Sequence, residues 1–140
     1  MQPKPKRKSV PRLKRKLWVT FSRFVRLRDC METTGTLTRG RCITCGVEKP
    51  IEELDAGHFI PKKSGNYFSE KGVHAQCRAC NRFHSGRPLE YQDKLIEMYG
   101  KRVVNKLRKE AQQSIKYSVI DIEELTCYYK EEIKKLEELN

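Results

Sequence analysis

The chain has 140 residues, of which 30 are Lys or Arg and 18 are Asp or Glu, and its formal net charge is +12. This length fits one domain, and the sequence has no 18-residue apolar stretch that would form a transmembrane helix. The basic N-terminus is not followed by an apolar segment, so we expect no secretory signal and a cytoplasmic location. In that reducing compartment, metal binding explains six cysteines better than disulfide bonds do.

The positive charge is concentrated at the N-terminus. Residues 1–28 contain eleven Lys or Arg residues and no Asp or Glu. We interpret residues 1–13 as a flexible basic arm and residues 14–140 as the folded domain. The arm fits DNA or RNA phosphates, or it is only a solubilising tail; a membrane surface is disfavoured because the arm has no apolar anchor. The predicted DNA-contacting residues are Lys4, Lys6, Arg7, Lys8, Arg12, Lys14, Arg15 and Lys16.

Hydrophobic periodicity and turn residues predict an α+β fold that is mostly helical with a small β-hairpin. Asp121 is expected to open the last helix, with Glu124 at the capping-box position. The predicted elements are, in chain order, an amphipathic helix at 14–28, strands near 42–43 and 54–60, a polar loop at 62–72, a short helix from 77 to about 84, and helices at 88–99, 101–113 and 121–139.

Two C-x-x-C motifs are separated by 31 residues. Two such motifs converge naturally on one tetrahedral Zn²⁺, and Gly46 after the first motif allows a tight turn. A redox motif would not explain two copies, and a closed site of four thiolates would be structural. Cys30 and Cys127 lie outside the pattern and are interpreted as ordinary thiols. The predicted zinc ligands are Cys42, Cys45, Cys77 and Cys80.

Polar residues of a second kind are grouped around these motifs. Asp55 and His58 lie between the two cysteine pairs, and Asn81 and His84 follow the second pair at a spacing that shares one helix face. Oxygen ligands suit Mg²⁺ or Mn²⁺, and an added imidazole favours Mn²⁺ or other transition ions. A free imidazole beside such a metal is a general base, so the pattern predicts hydrolysis of a phosphodiester.

At this point the chain resembles the HNH, or ββα-metal, nucleases in their zinc-stapled form, and more narrowly the phage lambda NinG family, also called Rap, of recombination endonucleases. The resemblance covers roughly residues 20–138. It implies a zinc-stapled ββα-metal core flanked by helices, and a nuclease that cuts branched DNA such as Holliday junctions and D-loops. It also implies a phage or prophage protein acting in a bacterial host. The matching residues include Cys42–Gly46, Asp55-Ala-Gly-His58, Phe68, Glu70, His74, Gln76-Cys77, Cys80-Asn81, His84-Ser-Gly86, Tyr91, Leu95-Ile96 and Gly100.

Carried over by position, the resemblance makes His58 the water-activating histidine and places Asn81 and His84 at the divalent metal. Many HNH proteins have a metal-binding Asp or His directly before the first histidine, where this chain has Gly57. Asp55 could replace it if a bulge at residues 56–57 brought it to the face of His58.

The family pattern also has an Asn that holds the catalytic imidazole, five residues before the third cysteine. This chain has Gly72 there. His74, two residues further on, or a backbone carbonyl could hold the imidazole of His58 instead. The alternative is that His74 only packs beside the zinc motif.

The sequence is also compatible with two other functions, and it favours one assembly. The chain could be a non-catalytic zinc module that binds nucleic acid, or a general HNH nicking endonuclease of the phage packaging type. Cutting two strands of a junction favours a homodimer through the C-terminal helices. The alternative is that the apolar stripe of the last helix packs on the 91–98 helix of the same chain. That stripe consists of Ile122, Leu125, Tyr129, Ile133 and Leu136.

Overall fold

The computed structural model describes residues 2–3 and 8–139 and has a mixed α+β fold. Lys4, Lys6 and Arg7 of the predicted DNA-binding arm lie outside the described residues. No helix in the described part of the chain has the length and apolar character needed to cross a membrane. The elements are helix α1 (Val10–Thr34), strands β1 (Arg39–Arg41), β2 (Glu48–Pro50), β3 (Leu54–His58) and β4 (Val73–Cys77), and helices α2 (Pro88–Tyr99), α3 (Lys101–Gln112) and α4 (Val119–Glu138).

Helix α1 is longer at both ends than the predicted helix at 14–28. It begins at Val10 and has a proline in its first turn, where a missing backbone N–H costs nothing. It ends at Thr34, and the capping residue Gly35 adopts a left-handed conformation with φ of 74°. Residues 10–13, assigned to the flexible arm, therefore belong to this helix.

Helix α4 packs against α1 in the main core. The Tyr129 ring lies 4.9 Å from Phe21 and 5.1 Å from Phe24, centroid to centroid. Ile122 and Leu17 are buried in the same cluster. The apolar stripe of α4 thus covers α1 of the same chain, whereas the sequence suggested α2 or a second chain as its partner. The homodimer stays a prediction, but this stripe no longer supports it.

The cap of α4 also differs from the predicted Asp121–Glu124 pair. Ser118 is the N-cap, and its hydroxyl accepts a hydrogen bond of 3.1 Å from the Asp121 backbone N–H. The Asp121 carboxylate accepts one of 2.9 Å from the Ser118 backbone N–H. The capping box therefore lies three residues earlier, because Ser118 and Asp121 already have the required spacing.

The strands form two antiparallel hairpins. In the first, β1 and β2 flank the turn that carries Cys42 and Cys45, so the strand predicted at 42–43 is replaced by strands on either side of it. In the second, β3 pairs with β4 in a regular register from Leu54–Cys77 to His58–Val73. The proposed bulge at residues 56–57 is absent from this hairpin.

A π-helical turn (Ala79–Phe83) follows β4, and a second small core covers the other side of the hairpin. Tyr91 of α2 and Leu107 of α3 pack there with Phe59, which follows β3. The Tyr91 hydroxyl donates a 2.6 Å hydrogen bond to the Gly57 carbonyl, so α2 is fixed directly to β3. The strand–strand–helix segment is thus enclosed between α1 on one side and the α2–α3 pair on the other.

The packing of α4 on α1 can be tested with two adjacent tyrosines. Tyr129 is 3% exposed, whereas Tyr128 is 48% exposed. Replacing Tyr129 with Ala should lower the free energy of unfolding by about 3–5 kcal/mol, as for other buried aromatics. Tyr128→Ala should cost less than about 1 kcal/mol. Urea denaturation measures both, and equal losses would contradict this packing.

Candidate metal centre and active-site cleft

The structure brings the four predicted cysteines together. Their Sγ atoms all lie within 4.8 Å of one another. The Cys45 and Cys77 sulfurs are 3.8 Å apart, which is about the 3.8 Å edge of a tetrahedron with Zn–S bonds of roughly 2.3 Å. Cys42, Cys77 and Cys80 are buried, while Cys45 is exposed. Four sulfurs at this spacing can hold a zinc ion.

Polar groups around the cysteines keep this cluster in shape. The Gly46 backbone N–H donates to the Cys42 carbonyl at 2.9 Å, in a turn where Gly46 has φ of 78°. The Thr44 hydroxyl lies 3.3 Å from the Cys42 sulfur. Arg87 Nε donates to the Cys80 sulfur at 3.2 Å. Such contacts orient metal-binding thiolates, and a zinc ion held by all four sulfurs would have no open coordination position.

The cysteine cluster places Asn81 beside Asp55. Cys77 ends β4 and Cys80 directly precedes Asn81 in the π-helical turn. Asn81 Nδ2 donates a 3.0 Å hydrogen bond to Asp55 Oδ2. Arg82 binds both oxygens of the same carboxylate, at 2.8 and 2.9 Å. Partial burial opposes ionisation, but the hydrogen bonds from Arg82 and Asn81 lower the pKa of Asp55 below its ordinary value.

No room exists for a side chain at Gly57, the position where many HNH proteins have an Asp or His. A Cβ there would overlap Gln76 Oε1 and lie 3.0 Å from Asn81 Oδ1. Gln76 is fully buried, and its Nε2 donates to the Thr44 hydroxyl and the Gly86 carbonyl. Its Oε1 has no donor among the described residues. In the sequence Gln76 is only one of the residues that match the family. Its close contact with Gly57, which lies diagonally across the hairpin, is visible only in the structure.

His58 is held in one orientation at the end of β3. Its Nε2 lies 3.0 Å from the Tyr67 carbonyl oxygen. A carbonyl only accepts, so Nε2 carries the proton and Nδ1 keeps a lone pair. The ring stacks on Trp18 of α1, with centroids 5.2 Å apart and planes inclined by 20°. Burial, with a smaller effect from Lys62, lowers the pKa of His58 to about 4, so the imidazole is neutral near pH 7.

The interpretation of His74 as a catalytic residue that orients His58 does not agree with its position. His74 is 1% exposed, and its Nδ1 lies 3.0 Å from Asp29 Oδ2. Its Nε2 lies 3.1 Å from the Tyr99 hydroxyl. Both ring nitrogens are engaged away from His58, and the Tyr67 carbonyl holds His58 instead. His74 is therefore a packed histidine that connects β4 to α1 and α2.

His84 does not share a helix face with Asn81. The π-helical turn ends at Phe83, and His84 follows it as an exposed residue. The expected i and i+3 relation applies to an α-helix that continues through both positions, and this turn does not. His84 is also not among the residues that line the clefts around Asn81. The structure therefore does not place it at a metal site with Asp55 and Asn81.

Two adjoining clefts meet at Asn81. One, of about 500 Å³, is lined by His58, Lys62, Ser85 and other residues. The other, of about 410 Å³, is lined by Trp18, Arg26, Asp55, Arg82 and others, and both share Ala56, Lys62 and Asn81. We call the two clefts together the groove. Lys62 and Arg26 place positive charge along its walls, which suits a phosphate backbone.

Only some of the predicted DNA-contacting residues lie near this groove. Lys14 Nζ is 4.5 Å from the centroid of Tyr67, whose carbonyl holds His58. Lys8 instead pairs with Glu123 of α4 at 3.3 Å, and both side chains are exposed. Arg15 and Lys16 are exposed, and Arg12 is partly buried. Sequence reasoning missed Trp18 and Tyr67, because Trp18 fitted the apolar face of a helix and Tyr67 acts through its backbone.

The family model described as Bacteriophage Lambda NinG protein matches residues 2–139. The chain belongs to the NinG family. No curated protein and no solved structure shows significant similarity to it. Membership in the NinG family agrees with the resemblance seen in the cysteine motifs and in the residues around His58 and Asn81.

The NinG-family cysteine cluster predicts one equivalent of zinc per chain. Replacing Cys77 with Ser should remove most of the bound zinc and lower the melting temperature, because structural zinc contributes directly to folding free energy. Cys127→Ser is the matched control, since this exposed thiol lies outside the cluster. Metal analysis and thermal unfolding measure both effects. Unchanged zinc content in Cys77→Ser would contradict the assignment.

The buried imidazole predicts a pH dependence of stability. The pKa of His58 is about 4 in the folded chain, against roughly 6.5 when unfolded. The unfolded state therefore binds more protons between these two pH values. The stability that the neutral His58 contributes is present above pH 6.5 and is lost as the pH falls toward 4. Relative to a His58→Gln variant, the native chain should lose about 1.6 kcal/mol between pH 6.5 and pH 5. Urea denaturation at these pH values tests this, and parallel pH dependences of the two proteins would contradict it.

Proposed function

We propose that this chain is a metal-dependent, structure-selective DNA endonuclease that hydrolyses phosphodiester bonds in branched recombination intermediates such as Holliday junctions and D-loops. The observation that carries the proposal is the neutral His58 imidazole, whose Nε2 is held by the Tyr67 carbonyl and whose Nδ1 has no hydrogen-bond partner in the described chain. It lines a cleft with Asn81 and Lys62. An oriented, unprotonated imidazole beside cationic groups suits attack of water on a phosphodiester.

In this mechanism His58 is the general base. Its Nδ1 takes a proton from the attacking water, and the imidazolium that forms keeps its Nε2–H on the Tyr67 carbonyl. The stacked Trp18 ring keeps the imidazole plane fixed during this transfer. The phosphate charge beside Nδ1 stabilises the imidazolium, which offsets the desolvation that lowers the pKa in the free protein.

A donor set that fits a hard divalent cation such as Mg²⁺ or Mn²⁺ lies at Asn81, where the cleft lined by Asp55 meets the cleft lined by His58. Asp55 offers a carboxylate, and Asn81 Oδ1 and the unpartnered Gln76 Oε1 are amide oxygens on the same side of the hairpin. When bound there, the cation supplies charge neutralisation to the leaving oxygen. Asp55 and Asn81 would hold it, after Arg82 releases the carboxylate that it now pairs with.

Further support for the ββα-metal nuclease interpretation comes from the order of β3, β4 and the π-helical turn beside the cysteine cluster. Lys14, Arg26 and Lys62 provide positive charge around the groove. The NinG family is described from a bacteriophage, so we place the activity on DNA in the cytoplasm of a bacterial host.

The function can be tested with two histidine variants. In the presence of Mn²⁺ or Mg²⁺, His58→Ala should reduce cleavage of a four-way junction by about 10²–10⁴-fold, the usual effect of losing a general base. His84→Ala is the matched control, because His84 is exposed outside the clefts, and it should stay within a few-fold of the native rate.

The same assay separates the alternative functions. With substrates of matched sequence, the branched DNA should be cut faster than the nicked and linear duplexes. Equal cutting of all forms would indicate a general nicking endonuclease. Tight DNA binding without cleavage by the native chain would indicate a non-catalytic zinc module.

A further inference from the structure

The segment from Arg82 to Leu89, which we name the zinc-proximal loop, carries two large apolar side chains in solvent. Phe83 is 79% exposed and Leu89 is 74% exposed. Single exposed apolar residues are common on protein surfaces. Here an aromatic side chain at the end of the π-helical turn and an aliphatic one in the first turn of α2 flank a short connection, and neither takes part in the two hydrophobic cores.

The zinc-proximal loop is rigidly anchored to the cysteine cluster. The Gly86 backbone N–H donates to the Cys80 carbonyl at 2.9 Å, and the Gly86 carbonyl accepts from Gln76 Nε2 at 2.8 Å. Arg87 Nε donates to the Cys80 sulfur. Ser85 and Arg87 have positive φ values of 53° and 47°, which non-glycine residues adopt only when the surroundings enforce them. The exposed Phe83 is therefore displayed on a fixed support.

The position and charge of this loop indicate its partner. Ser85, Gly86 and Pro88 line the same cleft as His58 and Asn81, so the loop forms part of the wall of the proposed active site, and Phe83 precedes Ser85 by two positions. From residue 71 to residue 89 the chain has no Asp or Glu, and it has four basic residues, Lys71, Arg78, Arg82 and Arg87, of which Arg82 pairs with Asp55. A protein partner would not require this charge, whereas a DNA backbone does.

We infer that the zinc-proximal loop is a base-contacting wedge, in which the Phe83 ring stacks on an unpaired or unstacked DNA base next to the bond that is cut. This inference rests on the proposed nuclease function and deepens it by naming the feature of the substrate that is recognised. A continuous duplex offers no free base face, whereas a branch point or a D-loop edge does. Aromatic stacking tolerates any base, so it selects DNA structure and not sequence.

The experiment uses the full-length, zinc-loaded chain without added Mg²⁺ or Mn²⁺, so that binding is measured apart from cleavage. A four-way junction, a nicked duplex and a linear duplex share one sequence. The base that lies next to the branch point in the junction is 2-aminopurine, and the same base is labelled in the two duplexes. Phe83→Ala should weaken junction binding by roughly 10–100-fold and change linear-duplex binding by less than about 2-fold. Phe83→Trp should restore junction binding and quench 2-aminopurine fluorescence, as stacking requires.

Tyr128→Ala is the matched control, because Tyr128 is an exposed aromatic on α4 and does not line either cleft. It should bind all three DNA forms like the native chain. Equal affinities of Phe83→Ala and the native chain for the junction would overturn the inference while leaving the nuclease proposal intact. A change of oligomeric state in Phe83→Ala without DNA would overturn it as well, since the loop would then contact protein. If the native chain neither binds nor cuts any form, both proposals are wrong.

Discussion

The four-cysteine cluster joins parts of the chain that are far apart in the sequence. It links the turn of the β1–β2 hairpin to the end of β4 and to the π-helical turn, through Cys42, Cys45, Cys77 and Cys80. Strands of three to five residues bury little apolar surface, so a metal centre is an effective way to stabilise them. In the chain, Cys80 is followed directly by Asn81, Arg82 and the rest of the zinc-proximal loop. The cluster therefore helps to position these residues near Asp55 and His58.

A buried ionic cluster fixes the other side of the β3–β4 hairpin. Asp29 of α1 accepts hydrogen bonds from Arg28 and from the Ala75 backbone N–H, and it contacts His74. Burial alone would raise the pKa of Asp29, but the hydrogen bond and charge of His74, and the charge of Arg28, lower it below its ordinary value. A buried carboxylate is tolerated only with such a full set of partners. This cluster holds α1 against β4 and so places Trp18 where it can stack on His58.

At one position of the HNH pattern that the sequence resembles, the cleft differs for a steric reason. Gly57 cannot be replaced by a metal-binding residue, because Gln76 and Asn81 occupy the space that its side chain would need. Asp55 instead reaches Asn81 from two positions earlier on the same strand face. The carboxylate, the amide oxygens and the neutral imidazole are therefore supplied by β3, β4 and the π-helical turn, while α1 supplies the aromatic support.

The sequence alone was sufficient for features that depend on local spacing. The C-x-x-C pairs identified four cysteines that can hold a metal ion, periodicity located the helices around 88–99 and 101–112, and the DAGH and CN-x-x-H motifs indicated the NinG family. Contacts between distant segments could not be read from spacing. Only the tertiary structure shows that α4 covers α1, that His74 binds Asp29 and Tyr99, and that Tyr67 orients His58. The physical reason is that a histidine or an apolar stripe fits several partners equally well. Its actual partner is the segment that the packed core brings within hydrogen-bonding or van der Waals distance.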